Sequence, residues 1–234
     1  MSELLEFGRG PLFKFSFAIM ILGLARIVLL SLYGVAEALY RAGDPRVNWR
    51  EVWNKTKVWL FPMDTWANKR AAYSAASIIF HVGLIIVPLL LAAHIQLWRQ
   101  GIGFGWPAIP QFVADLLTLA VIVTGPALFL GRLFHAPARA ISRKQDYIWP
   151  LLLTVPALSG FLCANFGLSA GAYLFWMVVH VYAANLIMIL MPFTKIAHCI
   201  LMPITQLVST VGWKFPVGSG DKVAGTLGKR GQPV

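Results

Sequence analysis

The sequence contains five apolar runs, each long enough to cross a lipid bilayer as a helix. Because a helix rises about 1.5 Å per residue, about 20 apolar residues span the roughly 30 Å of hydrocarbon. The runs cover residues 12–40, 71–98, 109–135, 147–168 and 170–208. No run shows the alternation of apolar and polar residues, over about ten residues, that is typical of membrane β-barrels. We therefore predict an all-α membrane protein, a bundle of five transmembrane helices.

The composition supports a membrane protein and argues against a nucleic-acid-binding one. Hydrophobic residues make up 58% of the 234 residues and charged residues only 12%, about half the charged share of a soluble domain. A chain of this length could not bury that much apolar surface in its own core. The net charge of +11 is common in nucleic-acid-binding proteins. Here, however, Lys and Arg cluster between the apolar runs, so we expect a lipid bilayer and no nucleic acid as the partner.

The basic residues lie mainly on one side of the predicted bundle. Seven lie within residues 41–70, four within 132–147 and five in the tail from Lys195 onwards, whereas three lie on the opposite side. Short loops rich in Lys and Arg stay in the cytoplasm. We therefore predict an outside N-terminus and a cytoplasmic C-terminus. The predicted membrane domain covers residues 1–208. A Gly-rich basic tail covers 209–234, and we expect its end to be flexible alone or ordered only against a partner.

Four histidines lie inside the apolar runs. His81 and His94 belong to the second run, His180 and His198 to the fifth, and a further histidine, His135, ends the third. An ionisable side chain inside a membrane is costly and is by default a functional candidate. The alternative is a neutral histidine that bonds to a neighbouring helix. For His135, which lies among basic loop residues, we expect contact with solvent or with a partner.

The predicted topology pairs the histidines of the second and fifth spans. These two spans run antiparallel, so His81 faces His198 toward the cytoplasm and His94 faces His180 toward the outside. His180 and His198 are 18 residues apart, so both project from one face of a continuous helix, before Pro192 bends it. Imidazoles paired across a helical bundle are typical axial ligands of haem iron, whereas zinc needs three or four ligands. The pattern favours two haem b groups, because the sequence lacks the Cys-x-x-Cys-His motif of c-type haem.

The outer pair requires an irregular second helix. His81 and His94 are 13 residues apart, which puts them about 140° apart around a straight helix. Pro88 lies between them, and a proline kink or a local change of pitch can re-aim the outer segment. We therefore expect the helix to deviate from regular geometry near Pro88. In the alternative interpretation, His94 bonds to a quinone and His180 has no histidine partner in the membrane.

A set of motifs within about residues 10–205 points to one family. The motifs are Gly23-Leu-Ala-Arg26, Phe80-His-Val-Gly83, Gly131-Arg-Leu-Phe-His-Ala-Pro-Ala-Arg139 and Leu190-Met-Pro-Phe-Thr-Lys-Ile-Ala-His198, the last followed by Pro203. In these motifs, and in the spacing of His180 and His198, the sequence resembles the gamma subunit of respiratory nitrate reductase, a membrane cytochrome b. Two features differ. The family's spacing in the second span would put the second histidine at Leu91, and residues 106–111 lack the family's lysine.

The resemblance implies a function in a respiratory chain. It implies a five-helix dihaem cytochrome b in the cytoplasmic (inner) membrane of a prokaryote. Such a subunit exchanges electrons between a quinol, menaquinol or ubiquinol, on the outer side and iron–sulfur or catalytic subunits in the cytoplasm. Cytochrome b subunits of sulfite-reductase-associated and heterodisulfide-reductase-like complexes share this architecture, so nitrate is not implied as the substrate.

Three further polar side chains are candidates for binding. Arg26 could pair with a haem propionate, or it could instead extend to the headgroups or bridge two helices. Gln111 and Asp115 lie at the outer end of the third span, where they could bind quinone together with His94. In that site Asp115 would accept a proton from quinol. The alternative for Asp115 is an interfacial carboxylate in contact with water.

Two other function classes stay open on the sequence. The chain could be a haem-free membrane anchor whose histidines serve packing. It could also be a proton-coupled transporter in which intramembrane histidines relay protons. Transporters usually contain internal repeats, and we recognise none in this sequence.

Overall fold

The computed structural model describes residues 1–60 and 71–232, apart from the side chains at positions 102, 200 and 203. Throughout these ranges the regular structure is helical. The α-helices are α1 Ser2–Arg9, α2 Pro11–Ala42, α3 Trp49–Leu60, α4 Ala71–Leu90, α5 Ala92–Ile102, α6 Gln111–Phe134, α7 Ala136–Ile141, α8 Lys144–Asn165, α9 Ala170–Leu190, α10 His198–Val211 and α11 Ser219–Thr226. Lys69 and Arg70, which contribute to the predicted basic loop, lie outside the described residues.

Five stretches of helix in the described chain are long and apolar enough to cross a membrane. They are Ser2–Ala42, Ala71–Leu90, Gln111–Phe134, Lys144–Asn165 and Ala170–Phe193. The predicted all-α architecture is confirmed for the described residues, and five helices have the length and apolar composition that spanning requires. The orientation of the two termini stays a prediction from the basic residues.

The second predicted run is two helices. α4 ends at Leu90 and α5 begins at Ala92, and between them Leu91 has extended backbone angles (φ −72°, ψ 131°). The expected irregularity near Pro88 is therefore present in this helix, three residues further along the chain. Across such a break the rotation of about 100° per residue no longer relates the positions of His81 and His94.

The fifth predicted run is also interrupted. α9 ends at Leu190, and two 3₁₀ turns, Met191–Phe193 and Lys195–Ala197, precede α10. Thr194 between the turns has extended backbone (φ −133°, ψ 178°). The expectation that His180 and His198 project from one face of a continuous helix is therefore wrong. Pro192 has no amide N–H to donate to the helical ladder, which favours an end at this point.

The chain divides into two compact units. The first consists of Met1–Ile21 with Asp64–Lys195, and the second of Leu22–Met63 with Ile196–Val234. This division differs from the predicted boundary between residues 208 and 209, which falls inside α10. Of the four histidines in the predicted apolar runs, three belong to the first unit and His198 to the second. His81 and His180 lie within the candidate membrane spans, whereas His94 and His198 follow the ends of those spans.

Close helix packing in the first unit depends on glycine. α6 packs against α4 and α8 around a core of Phe80, Val121 and Leu128. A Cβ at Gly83 of α4 would overlap Val121 and lie 2.8 Å from a main-chain oxygen of α6. A Cβ at Gly125 of α6 would overlap the Thr154 hydroxyl of α8. Small residues allow membrane helices to approach this closely, since dispersion contacts and not water exclusion hold them together.

The N-terminal helix α1 is bound to α9 through polar contacts. Asn185, which is 3% exposed, donates from Nδ2 to the Gly8 carbonyl at 3.1 Å and to the Val181 carbonyl at 2.8 Å. The Tyr182 hydroxyl donates to the Leu4 carbonyl at 3.2 Å. The bond to Gly8 satisfies a main-chain oxygen near the end of α1, and with the bond to Leu4 it holds α1 against a candidate membrane helix.

In the second unit, the C-terminal tail is ordered against a loop of its own chain. Lys214 Nζ donates to the Asp44 carboxylate at 2.5 Å and to its carbonyl at 3.1 Å. The Val217 amide lies 3.4 Å from the Arg41 carbonyl. The bonds from Lys214 and then Arg46 hold the pKa of Asp44 well below its usual range. Their stabilising effect is therefore present at neutral pH and is lost only as the pH falls through that lowered pKa.

We predict that Gly125→Ala destabilises the first unit. The added methyl group overlaps the Thr154 hydroxyl and lies 3.1 Å from the Pro150 carbonyl, so α6 and α8 must separate. Overpacking of this kind costs about 1–3 kcal/mol. The midpoint of thermal unfolding in detergent should fall for Gly125→Ala. Gly171→Ala in α9 is the matched control, because its Cβ would meet nothing within 4 Å. Equal midpoints for the two variants would contradict this packing.

Candidate cofactor site

The break at Leu91 is stabilised by the loop that follows α5. When a helix ends inside an apolar region, its last carbonyl groups need other donors. The Trp106 indole donates to the Leu89 carbonyl at 2.6 Å. The Ile109 amide donates to the Leu90 carbonyl at 3.0 Å. Residues 103–110 therefore return along the end of α4 and donate hydrogen bonds to its last carbonyls. Because these carbonyls are paired, α5 can start in a new direction, with His94 in its first turn.

The redirected helix brings His94 of α5 next to His180 of α9. Their ring centroids are 5.9 Å apart and their ring planes differ by 11°. Both side chains are partly buried. The two residues of the predicted outer pair are thus neighbours in the structure, and their rings are nearly parallel.

Both imidazoles are oriented by main-chain oxygens. His94 Nδ1 lies 3.2 Å from the Val87 carbonyl, and His180 Nδ1 lies 2.8 Å from the Pro156 carbonyl. Because a carbonyl oxygen only accepts, Nδ1 must carry the proton in each ring. In a neutral imidazole Nε2 then keeps its lone pair. Metal-binding histidines almost always have this arrangement, with the second ring nitrogen donating to a carbonyl or a carboxylate.

A glycine of α8 makes room for the His180 ring. A Cβ at Gly160 would lie 2.8 Å from Cε1 and 2.9 Å from Nδ1 of His180. Those distances are shorter than van der Waals contact, so any larger residue at position 160 would push the ring away. Gly160 and the Pro156 carbonyl thus set the position of this imidazole from the same helix, α8.

The pair offers two imidazoles to a cofactor that needs two ligands. Their ring centroids are 5.9 Å apart and the rings are stacked, with planes 11° apart. Within the described ranges, no group of three or more His, Cys, Asp or Glu is arranged to hold a metal ion. Axial ligation of haem iron needs only two protein ligands, since the macrocycle supplies the rest.

The predicted inner pair is divided between the two units. His81 lies on α4 and its Nδ1 is 2.6 Å from the Ser77 carbonyl, the same kind of bond that the outer histidines make. His198 begins α10 in the second unit. Binding of one haem by His81 and His198 stays a prediction from the sequence.

The structure joins two predicted quinone-site residues and adds a third. Asp115 Oδ1 accepts hydrogen bonds from Gln111 Nε2 at 2.8 Å and from Asn165 Nδ2 at 3.1 Å. Asn165 lies at the end of α8 and was not a candidate in the sequence analysis. No recorded contact among the described residues joins His94 to this cluster.

Two other candidates have exposed side chains. Arg26 is exposed on α2, in the second unit. No hydrogen bond or ion pair of Arg26 is recorded within the described parts of the chain. His135 is exposed between α6 and α7, as expected for a loop histidine.

An aromatic cluster beside the break was also missed by sequence reasoning. Phe13 and Phe17 of α2 meet Trp98 of α5 edge to face, with ring centroids 5.9 and 4.9 Å apart. Trp98 in turn lies 6.0 Å from Trp106. The signal that could have linked them is the spacing of four residues between Phe13 and Phe17, which puts both on one helix face.

Comparisons with known proteins identify one relative of similar length. A curated protein of Nitratidesulfovibrio vulgaris (strain Hildenborough), described only as "Protein", is 29% identical over 168 residues. The aligned region covers 71% of this chain and 72% of the relative. No family model matches the chain, and no solved structure matches it.

We predict that Trp106→Phe loosens the break at Leu91. The variant keeps an aromatic ring but leaves the Leu89 carbonyl without its indole donor. A carbonyl left unsatisfied in lipid, where water cannot replace the lost donor, costs about 1–3 kcal/mol. Hydrogen exchange should therefore become faster at the amides of residues 89–95, measured by mass spectrometry in detergent. Trp213→Phe is the control, because Trp213 is exposed in the second unit. Unchanged exchange in Trp106→Phe would show that this bond is dispensable.

Proposed function

We propose that this chain is the dihaem b membrane subunit of a respiratory oxidoreductase complex. It exchanges electrons between membrane quinol and a cytoplasmic iron–sulfur or catalytic subunit. The observation that carries the proposal is the near-parallel pair His94 and His180, each with Nδ1 bonded to a main-chain oxygen. The motifs that resemble the nitrate reductase gamma subunit, and the five apolar helices, give further support.

In this proposal the outer haem b is held by His94 and His180. The carbonyls of Val87 and Pro156 keep both rings in the tautomer whose Nε2 can bind iron. Gly160 leaves the space that the His180 ring occupies. Haem iron, when bound, supplies reversible one-electron chemistry. The chain's own contribution is to supply two neutral imidazoles and to exclude water with the apolar helices around them.

The inner haem b is assigned to His81 and His198. Support comes from the two motifs that contain these residues and from the Nδ1 bond of His81 to the Ser77 carbonyl. Arg26, in the first-span motif, is proposed as a partner of a haem propionate. The basic residues of 41–60 and of the tail face the cytoplasm in this orientation, with the N-terminus outside. Their positive charge suits an acidic surface on a partner subunit.

The quinone site is proposed at the cluster of Gln111, Asp115 and Asn165. Menaquinol or ubiquinol must lose two protons when it is oxidised, so the site needs a proton acceptor. The amides of Gln111 and Asn165 both bind Asp115 Oδ1, which keeps the carboxylate in one orientation. Asp115 can then take a proton from a quinol hydroxyl group and release it to the outer side.

The haem assignment is tested by counting haem in the purified protein. We predict that the dithionite-reduced protein shows a b-type α-band and that His94→Ala and His180→Ala each lose one of two haems. Pyridine haemochrome assays give the ratio of haem to protein. His135→Ala is the matched control, because His135 is an exposed loop residue, and it should keep both haems.

The same measurement separates the other function classes. A protein without a b-type band would be the haem-free anchor or the transporter considered above. Two haems retained by His94→Ala would mean that His94 is not a ligand. Loss of one haem from His198→Ala but none from His180→Ala would support the inner site and contradict the outer one.

We predict that Asp115→Asn slows quinol oxidation while both haems are retained. Asparagine keeps the shape and the hydrogen bonds of the side chain but cannot accept the proton. A general base typically contributes about 10²-fold or more to the rate. Haem reduction by a water-soluble quinol analogue, followed in a stopped-flow spectrophotometer, measures the effect. Asp221→Asn in the exposed tail is the control, and equal rates for the two variants would exclude Asp115.

A further inference from the structure

Helix α3 is too short and too charged to cross the membrane. Its 12 residues, Trp49–Leu60, extend about 18 Å, well below the roughly 30 Å of a hydrocarbon core. Four of them are charged, namely Arg50, Glu51, Lys55 and Lys57. Residues 43–48 connect α3 to the end of α2, which belongs to a candidate membrane span. Six residues reach at most about 20 Å, so α3 stays close to the membrane surface.

The apolar residues of α3 form one arc, apart from Val58 on the opposite side, and only the centre of the arc is packed. Val52 and Thr56 are buried, and Val52 forms a core with Leu207 and Val211 of α10. On one side of this centre lie Trp49 and Trp53, which are 63% and 61% exposed. The two indoles are four residues apart and therefore share an edge of the helix. With Ile204 and Leu207 they line an open groove of about 310 Å³.

Basic side chains flank the tryptophan edge. Lys57 Nζ lies 5.8 Å from the centre of the Trp53 ring, within range of a cation–π contact. Arg50, on an ideal helix, lies about 20° from Lys57 around the axis, so it flanks the same edge. The acidic residue of the helix, Glu51, pairs with Lys55 at 2.6 Å. The tryptophan edge is therefore bordered by two cations whose charge Glu51 does not neutralise.

From these features we propose that α3 lies in the plane of an anionic phospholipid surface, with its Trp49–Trp53 edge inserted among the headgroups. Indole rings prefer this depth because one side is apolar and the N–H can bond to water or to phosphate. Arg50 and Lys57 then meet lipid phosphates, and each cation near such a surface adds to binding. Interfacial helices combine these features: a large apolar arc, a charged opposite face and low overall hydrophobicity. The proposal is independent of haem and requires only that the long helices span the membrane.

The test measures which medium surrounds each face of α3. A single cysteine at position 49 or at position 54 carries a nitroxide label, in a background of Cys163→Ser and Cys199→Ser. Asn54→Cys is the matched control, because Asn54 is exposed and lies about 140° from Trp49 around the helix. The full chain is reconstituted without partner subunits into nanodiscs of phosphatidylcholine, with or without phosphatidylglycerol. Collision with oxygen, which dissolves in lipid, is compared with collision with a water-soluble nickel chelate.

We expect the label at Trp49→Cys to collide more with oxygen and the label at Asn54→Cys to collide more with the chelate. Phosphatidylglycerol should increase this difference, and Arg50→Gln with Lys57→Gln should abolish the increase. Chelate access at position 49 equal to that at position 54 would overturn the proposal. Protection of position 49 from both reagents would also overturn it, because protein would then cover the tryptophan edge. An unchanged difference on adding phosphatidylglycerol would exclude the anionic lipid.

Discussion

Main-chain carbonyls need hydrogen-bond donors where water is absent, and the arrangement of helices in the first unit depends on this requirement. Where α4 ends at Leu90, the last carbonyls of the helix would be unpaired in an apolar setting. The loop after α5 supplies the Trp106 indole and the Ile109 amide to them. This arrangement permits the break at Leu91, and the break in turn directs α5 toward α9. The contact between His94 and His180 therefore depends on the hydrogen bonds that the last carbonyls of α4 accept.

The same requirement sets the chemistry of the imidazoles. A neutral histidine in a membrane helix needs an acceptor for one ring N–H, and in this chain the acceptors are helix carbonyls. Once Nδ1 is used in this way, Nε2 is available to a metal. In the proposed haem site, the same bonds that a packing histidine makes would orient a metal ligand. What favours the ligand role at the outer pair is that two such rings are neighbours and nearly parallel, with centroids 5.9 Å apart.

Much of this fold can be predicted from the lengths of the apolar runs and the spacing of residues in the sequence. The features that could not be predicted depend mainly on hydrogen bonds between residues far apart in the chain. Five apolar runs predict five spanning helices. The 13 residues between His81 and His94 require an irregular helix if both histidines face the fifth span. The position of the irregularity at Leu91 could not be predicted, because its donors come from residues 15–18 positions further along the chain. The interruption at Thr194 is different. Pro192 predicted a bend, but a proline alone does not distinguish a kinked helix from one that ends. Asn165 donates a hydrogen bond to Asp115, which lies 50 residues earlier in the sequence, and no local sequence pattern predicts such a partner.

The acceptors of the histidine bonds are main-chain atoms, and this affects how the site tolerates mutation. A carboxylate that orients an imidazole is lost through one codon change. The carbonyls of Ser77, Val87 and Pro156 persist whichever side chain those positions carry, provided that the helix keeps its path. Homologous chains can therefore diverge at these positions and still present the same ring tautomer. Selection on the site is then expected to fall on the histidines themselves, on Gly160 and on the residues that shape the helix ends.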